Sequence, residues 1–311
     1  VDRGVVARPG SGALARTPGS SLLGTAAALL HAVRPRQWVK NLLIFAAPGA
    51  AGILFGADVL ERTAAAFVTF CALASAGYLL NDAMDAEQDR RHLVKRLRPI
   101  AAGALSERTA LVAAAVLAAA ALSLATRLGS AFLIAALGYA VVTVAYSLGL
   151  KRVAVVDLFL VASCYVLRAV AGAAAVRIEP SAWFIALVTA AAIAVVAGRR
   201  MADVRDDGVD VGDRPRSATY TVEYLRGVWI LAMGIAVTTY CLWAADIPHA
   251  SHGVAWSQLS IVPFALALLR YAYVIERGAA GEPEEVFASD GVIQAAVVAW
   301  ALVYGLGVYL R

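Results

Sequence analysis

Nine blocks of predominantly apolar residues, each of roughly 15–22 residues, leave this chain few folds to adopt. A hydrocarbon layer offers the backbone no hydrogen-bond partner, so a segment that enters it must satisfy its own N–H and C=O groups, as a helix does. The predicted spans are residues 41–57, 64–80, 110–126, 131–148, 153–176, 183–198, 228–245, 257–274 and 291–310. Charged residues make up only 16% of the 311 and mean hydropathy is +0.73, which excludes a pair of soluble domains. The expected fold is all-α, a polytopic membrane protein with nine transmembrane helices.

The polar connections set the expected orientation. Of the 27 Lys and Arg residues, 22 fall in the N-terminal segment through Lys40, in 90–108, 151–152, 199–226 and 270–277, all on one side of nine alternating spans. Arg62, Arg127, Arg177 and Arg311 fall on the other side, and Arg168 lies within a span. Cationic loops stay in the cytoplasm, so the N-terminus is expected inside and the C-terminus outside, in the plasma (inner) membrane. Residues 1 to about 20, rich in Gly, Ser, Pro and Arg, read as a disordered tail, and the short apolar stretch 21–33 reads as an interfacial helix rather than a signal peptide. Residues 34–311 then form the membrane domain. The net charge of +5 reflects this orientation; no basic patch is interleaved with aromatics, so no nucleic acid is expected as a partner. Cys71, Cys164 and Cys241 lie in separate apolar blocks without metal-type spacing, and the His249/His252 pair falls in an outer loop.

The longer inner connections hold the chemistry. Where the second block ends, Asn81-Asp82-Ala-Met-Asp85-Ala-Glu-Gln-Asp89 is followed at once by a basic run through Arg98. On a helix, Asp82, Asp85 and Asp89 fall three and four residues apart and share one face, with Asn81 a turn before Asp85. Like charges stacked this way repel, and a divalent metal holding a diphosphate is a natural counter-charge; the plain alternative is a solvated helix end. Lys95, Arg96 and Arg98 just beyond suit a phosphorylated substrate whose leaving group is diphosphate. A second cluster is Tyr146-Ser-Leu-Gly-Leu-Lys151-Arg152, with Asp157 beyond it as a partner for Lys151 or Arg152 or as a site residue. A third runs from Gly198-Arg199-Arg200 through Asp203 to Asp207, and a fourth from Thr219 through Tyr224-Leu-Arg226; Glu282-Pro-Glu-Glu285 reads as a solvated turn. Arg168 sits some ~20 Å from the inner edge by helix rise, so it must pair, line a polar cavity or snorkel outward, in a structural role.

Taken together, these motifs resemble the UbiA superfamily of intramembrane prenyltransferases. Within it they are most similar to the branch that places phosphoribosyl on a polyprenyl phosphate. The residues that carry the likeness include Arg34-Pro-Arg-Gln-Trp-Val-Lys-Asn41, the Asn81–Asp89 motif, Lys95-Arg-Leu-Arg-Pro-Ile-Ala-Ala-Gly103, Tyr146 to Lys151, Ala197-Gly198-Arg-Arg200 and Tyr224-Leu-Arg226. The resemblance implies a UbiA-like bundle and Mg²⁺-dependent transfer of 5-phosphoribosyl from phosphoribosyl diphosphate to a polyprenyl (decaprenyl) phosphate. Diphosphate would be released, and the product would feed cell-wall arabinan (arabinogalactan) synthesis. It assigns Asn81, Asp82 and Asp85 to catalysis, and Asp82, Asp85 and Asp89 to the metal. Lys95, Arg98, Lys151, Arg199 and Arg200 become phosphate ligands, with Tyr146 orienting the donor and Asp203 standing where the branch tends to carry a glutamate. Arg36, Lys40 and Asn41 fall to the lipid phosphate, whose tail would lie in an apolar groove open to the membrane. The resemblance also leaves room for a homo-oligomer.

Ordinary superfamily members carry a second aspartate-rich motif where Arg199-Arg200 stands here, and that exchange of acid for base suits a donor bearing an extra 5-phosphate. Two competing expectations remain. One is a UbiA-type prenyltransferase moving a prenyl group from prenyl diphosphate to an aromatic acceptor. The other is a transporter for an anionic solute, which would need polar groups at the midplane and an inverted repeat.

Overall fold

The computed structural model describes residues 22–206, 220–247, 255–277 and 283–309. The predicted tail, the His249/His252 pair and the centre of the 199–226 loop lie outside them. Among the described residues, every regular element is helical. Eight stretches are long and apolar enough to cross a membrane. They are α3 (Ala57–Met84), α5 (Glu107–Leu128), α6 (Ser130–Leu148), α7 (Val156–Ala175), α8 (Ala182–Asp206), α9 (Val222–Asp246), the pair α10 (Trp256–Leu259) and α11 (Ile261–Glu276), and α13 (Gly291–Tyr309). The shorter helices are α1 (Leu22–Ala32), α2 (Ala46–Ala50), α4 (Ala86–Arg91) and α12 (Pro283–Ser289).

The first predicted span, 41–57, is not a long α-helix. A 3-10 helix, Pro35–Phe45, leads into the five residues of α2. Proline at 35 and 48 removes a backbone donor near each end. The segment still runs the length of the bundle, because Arg34 before it reaches Asp82 at the last turn of α3, whereas Ala57 after it begins that helix. Long 3-10 runs have poor hydrogen-bond geometry and need outside support. Here Trp38 Nε1 donates to Ser75 Oγ at 3.1 Å, and Asn41 is tied into the interior described below.

Helix α7 is the common wall of two packed halves. One core joins α3, α5, α6 and α7 around Phe70, Phe132 and Tyr139. The other joins α7, α8, α9 and α11 around Met201, Leu225, Trp229 and Tyr271. Helices approach closely because the contact faces are built of small side chains, with Ala169, Ala171, Ala173 and Ala175 buried along α7. Gly172 is the tightest point, since a Cβ there would lie 1.9 Å from the carbonyl oxygen of Ile44 in the 3-10 helix. At the end remote from Asp82, Arg62 closes α5 and α7 by donating to the C-terminal carbonyls of Ala175 and Leu128 at 2.6 and 2.9 Å.

Buried charge is handled in the same way. Arg168 is 4% exposed and has no carboxylate partner among the described residues. Its Nε donates to Asn41 Oδ1 at 2.7 Å, its Nη1 to the Cys164 carbonyl at 2.7 Å and its Nη2 to Tyr139 Oη at 2.9 Å, and its guanidinium lies over the Tyr139 ring. The expected structural role of Arg168 is what the geometry displays. It fastens the 3-10 segment to α6 and α7.

Gly172→Ala is expected to lower the thermal unfolding midpoint in detergent by several degrees, the overpacking costing about 1–3 kcal/mol. Gly138→Ala is the control, because its added methyl would meet only the Leu167 side chain at ordinary contact distance, 3.6 Å. Equal midpoints for the two variants would contradict the packing.

Candidate active site

The Asp82 end of the bundle holds a cavity of about 530 Å³. Eight residues singled out from sequence line it: Asn81, Asp85, Asp89, Lys95, Arg98, Tyr146, Lys151 and Arg200. They come from α3, α4, the loop beyond α4, the end of α6, the turn after α6, and α8. Nearness in sequence keeps Asn81, Asp85, Asp89, Lys95 and Arg98 together, and helix packing brings Tyr146, Lys151 and Arg200 to them.

The acidic stretch is not one continuous helix. Helix α3 stops at Met84, Asp85 sits at φ −96° and ψ 0°, and α4 restarts at Ala86. The single carboxylate face expected over Asp82, Asp85 and Asp89 is therefore broken. Asp82 is 2% exposed and turned away from the cavity lining, its two oxygens each 2.8 Å from Arg34 Nη2 and one of them 3.1 Å from Arg98 Nη1. Arg98 Nη1 also donates to Asp89 at 2.6 Å, so one guanidinium ties the end of α3 to α4. Burial pushes the Asp89 carboxyl up from its ordinary range, against the pull of Arg98. Lys151 Nζ gathers Asp85 Oδ1 and Oδ2 at 2.5 and 2.6 Å and Asn81 Oδ1 at 3.1 Å.

The opposite wall is a relay of hydrogen bonds that sequence spacing did not reveal. Arg200 Nε donates to Asp157 at 3.1 Å, Nη1 to Asp203 at 3.3 Å and Nη2 to Tyr146 Oη at 3.2 Å, so each guanidinium nitrogen has a protein partner. Asp157 also accepts from Tyr220 Oη, which in turn accepts from the Val155 N–H at 2.5 Å. Val155 has φ +69°, a strained conformation for a β-branched residue and one that such a bond can hold. Burial, reinforced by the hydrogen bond to Asp157, pushes the Tyr220 phenol up to about 12.

Several expected residues stand elsewhere. Asn41 is fully buried and its amide is committed to Arg168 and to Cys71 Sγ, so it is not at the mouth of a lipid site. Arg36 is exposed and Lys40 donates to Gln37; neither lines the cavity, nor do Arg199 or Asp203. Sequence reasoning gave no site role to Arg34, Gln88, Arg152 or Tyr220, and left Asp157 open between an ion-pair partner and a site residue; all but Arg34 line the cavity. All of them stood inside motifs already singled out, Arg152 directly beside Lys151 and Tyr220 in the cluster that begins at Thr219, but a motif does not say which of its side chains turns into the cavity.

Whether the cavity fits a divalent cation can be read from its donors. Among the described residues no group of three His, Cys, Asp or Glu side chains is arranged to hold a metal. Mg²⁺ does not need one, because it keeps waters and substrate phosphates as ligands and asks the protein for one or two carboxylates. Asn81 Oδ1 and both Asp85 oxygens converge within 3.1 Å of a single cationic nitrogen, which is a fitting donor set for such an ion.

A sequence model of the UbiA prenyltransferase family matches residues 42–306. The chain belongs to the UbiA family. It is 40% identical over 293 residues to the decaprenyl-phosphate phosphoribosyltransferase of Mycolicibacterium smegmatis, covering 90% of this chain and 92% of that one. The protein of the same name from Corynebacterium glutamicum is 39% identical over 288 residues, covering 91% and 87%. Among solved structures, a UbiA homolog from Archaeoglobus fulgidus bound to GPP and Mg²⁺ superposes with a TM-score of 0.68 at 19% identity, covering 91% of this chain and all of that one. The UbiA-like helical bundle expected from the motifs is thus the fold observed.

Tyr220→Phe leaves the Val155 N–H and one Asp157 oxygen without their partner and is expected to lower the unfolding midpoint by a few degrees, for a loss of ~1–3 kcal/mol. The folded phenol titrates near 12 rather than at its ordinary 10.0, so this stabilisation is complete below the lower value and disappears as pH rises through the higher. The difference in midpoint between the two proteins should therefore be flat across the neutral range and shrink only in strong alkali.

Proposed function

We propose that this UbiA-family enzyme transfers 5-phosphoribosyl from phosphoribosyl diphosphate to a polyprenyl phosphate, decaprenyl phosphate in the named relatives, and releases diphosphate. The observation that carries the reading is 40% identity along nine-tenths of the chain to a decaprenyl-phosphate phosphoribosyltransferase. The cavity supports it, since five cations, Lys95, Arg98, Lys151, Arg152 and Arg200, line it against the three carboxylates of Asp85, Asp89 and Asp157. An excess of positive charge suits a donor that is a multiple anion. In this reading the cavity faces the cytoplasm, the plasma membrane holds the protein, and the product supplies cell-wall arabinan synthesis.

The chemistry asks for positioning more than for acid–base work. An oxygen of the polyprenyl phosphate attacks C1 of the ribose; the new C1–O bond forms as the bond from C1 to the diphosphate oxygen breaks, and diphosphate carries away the electron pair. A phosphate monoester loses its second proton near pH 6, so the nucleophile is already largely dianionic at neutral pH and needs no strong base. Two anions must instead be held against each other while charge builds on the leaving group. Lys151, Lys95 and Arg98 neutralise that charge, and Tyr146, held by Arg200, orients the sugar. Asn81 and Asp85, with Asp89 across the break between α3 and α4, would hold Mg²⁺, which when bound neutralises the diphosphate. Asp82 acts through Arg34 and Arg98, keeping the acidic segment and its basic sequel in register.

Purified protein given Mg²⁺, radiolabelled phosphoribosyl diphosphate and polyprenyl phosphate is expected to form labelled lipid, and chelation to abolish it. Asp85→Asn should lower turnover by about a hundredfold or more while leaving the unfolding midpoint within a few degrees, the loss expected for an electrostatic site residue. Turnover of a prenyl diphosphate on an aromatic acceptor, with no labelled lipid, would replace this reading by the prenyl-transfer one.

A further inference from the structure

The sequence pattern pointed to Arg199 and Arg200 as the extra cationic grip for a donor with a second phosphate. The geometry moves that grip. Arg199 does not line the cavity, and Arg200 is engaged at all three nitrogens by Asp157, Asp203 and Tyr146. Lys151 is engaged by Asp85 and Asn81, and Arg98 by Asp82 and Asp89. Arg152 differs: it lines the same cavity, yet its side chain makes no hydrogen bond or ion pair with any described residue.

Its backbone, by contrast, is fixed. Leu150–Arg152 is a single 3-10 turn, entered through Gly149 at φ +142°, which a side chain would strain, and closed by Arg152 N–H to the Gly149 carbonyl at 3.0 Å. Beyond the turn, Tyr220 pins Val155. Successive residues of a 3-10 helix project about 120° apart. Lys151 reaches the acidic end of the cavity, and its neighbour Arg152, set about a third of a turn away, lines the same cavity. A fixed mount carrying an unmatched guanidinium is suited to a phosphate monoester, which it can grip through two parallel N–H bonds.

We infer that Arg152 binds the 5-phosphate of the donor and so separates phosphoribosyl diphosphate from prenyl diphosphates, which carry a diphosphate but no second phosphate. This inference rests on the proposed function. The polyprenyl phosphate is also a phosphate monoester, but its apolar chain belongs in lipid, whereas Arg152 lines a polar cavity; the test separates the two sources.

The test compares full-length wild type, Arg152→Gln and Arg152→Lys with Mg²⁺ and polyprenyl phosphate in detergent. Arg152→Gln is expected to raise KM for phosphoribosyl diphosphate about tenfold or more with little change in kcat, as for loss of a contact made equally in ground and transition states. KM for polyprenyl phosphate should stay within about twofold. Inhibition by ribose 5-phosphate should weaken by a factor similar to the donor's, while inhibition by inorganic diphosphate should not, and Arg152→Lys should recover part of the loss. An unchanged donor KM overturns the inference, as does a rise in acceptor KM instead, or equal weakening of diphosphate and ribose 5-phosphate inhibition. Wild-type protein that forms no labelled lipid fails the proposed function itself, and this inference with it; wild-type turnover with an unaltered Arg152→Gln donor KM fails the inference alone.

Discussion

Three carboxylates gathered at the break between α3 and α4 cannot stand together uncompensated, and the polar end of this molecule is arranged around their neutralisation. Asp82 is sealed between Arg34 and Arg98, Asp89 shares Arg98, and Asp85 takes Lys151. Those cations come from before the 3-10 segment, from the loop beyond α4 and from the turn between α6 and α7. Each ion pair is therefore also a cross-link between chain segments far apart in sequence. Removing Arg98 would leave Asp89, which is buried, without its cation, and that costs far more than an exposed pair contributes.

A second buried charge performs the same service deeper in the bundle. Arg168 has only neutral partners, and the carbonyl, amide and phenol that receive its donors lie on α7, the 3-10 segment and α6. With Gly172 admitting the Ile44 backbone against α7, this network seats an irregular segment where a ninth regular helix was expected. The consequence reaches the site, because the same segment begins beside Arg34, whose guanidinium fixes Asp82 and stacks over Tyr78.

The facing wall follows a different logic. Arg200, Asp157, Tyr220 and the Val155 amide form a closed relay whose charges cancel locally. Arg200, which looks like free positive charge in the sequence, is thus already paired within the fold. Arg152, the cavity cation without a side-chain partner among the described residues, sits in a turn just before the Val155 backbone that the relay holds. Charge counted along a sequence measures how many cations are available; it does not say which of them the protein has already used.

Although the ends of α3, α8 and α9 lie several residues beyond the apolar blocks, the sequence by itself determined the helical class, the positions of the long helices, the family and the neighbourhood of the site. These rest on local properties: apolar runs near the length of a membrane crossing, and carboxylates, amides and cations within a few residues of one another. The 41–57 block misled because apolar length predicts a crossing but not its helix type, which here follows from prolines and from contacts to α3 and α7. Asn41 misled for a related reason, since a polar residue next to a basic motif looks like a surface ligand until a remote arginine claims it. Only the tertiary structure decided which cation meets which acid, because partners such as Lys151 and Asp85, or Arg200 and Asp157, are separated by tens of residues and are joined by helix packing that no local spacing encodes.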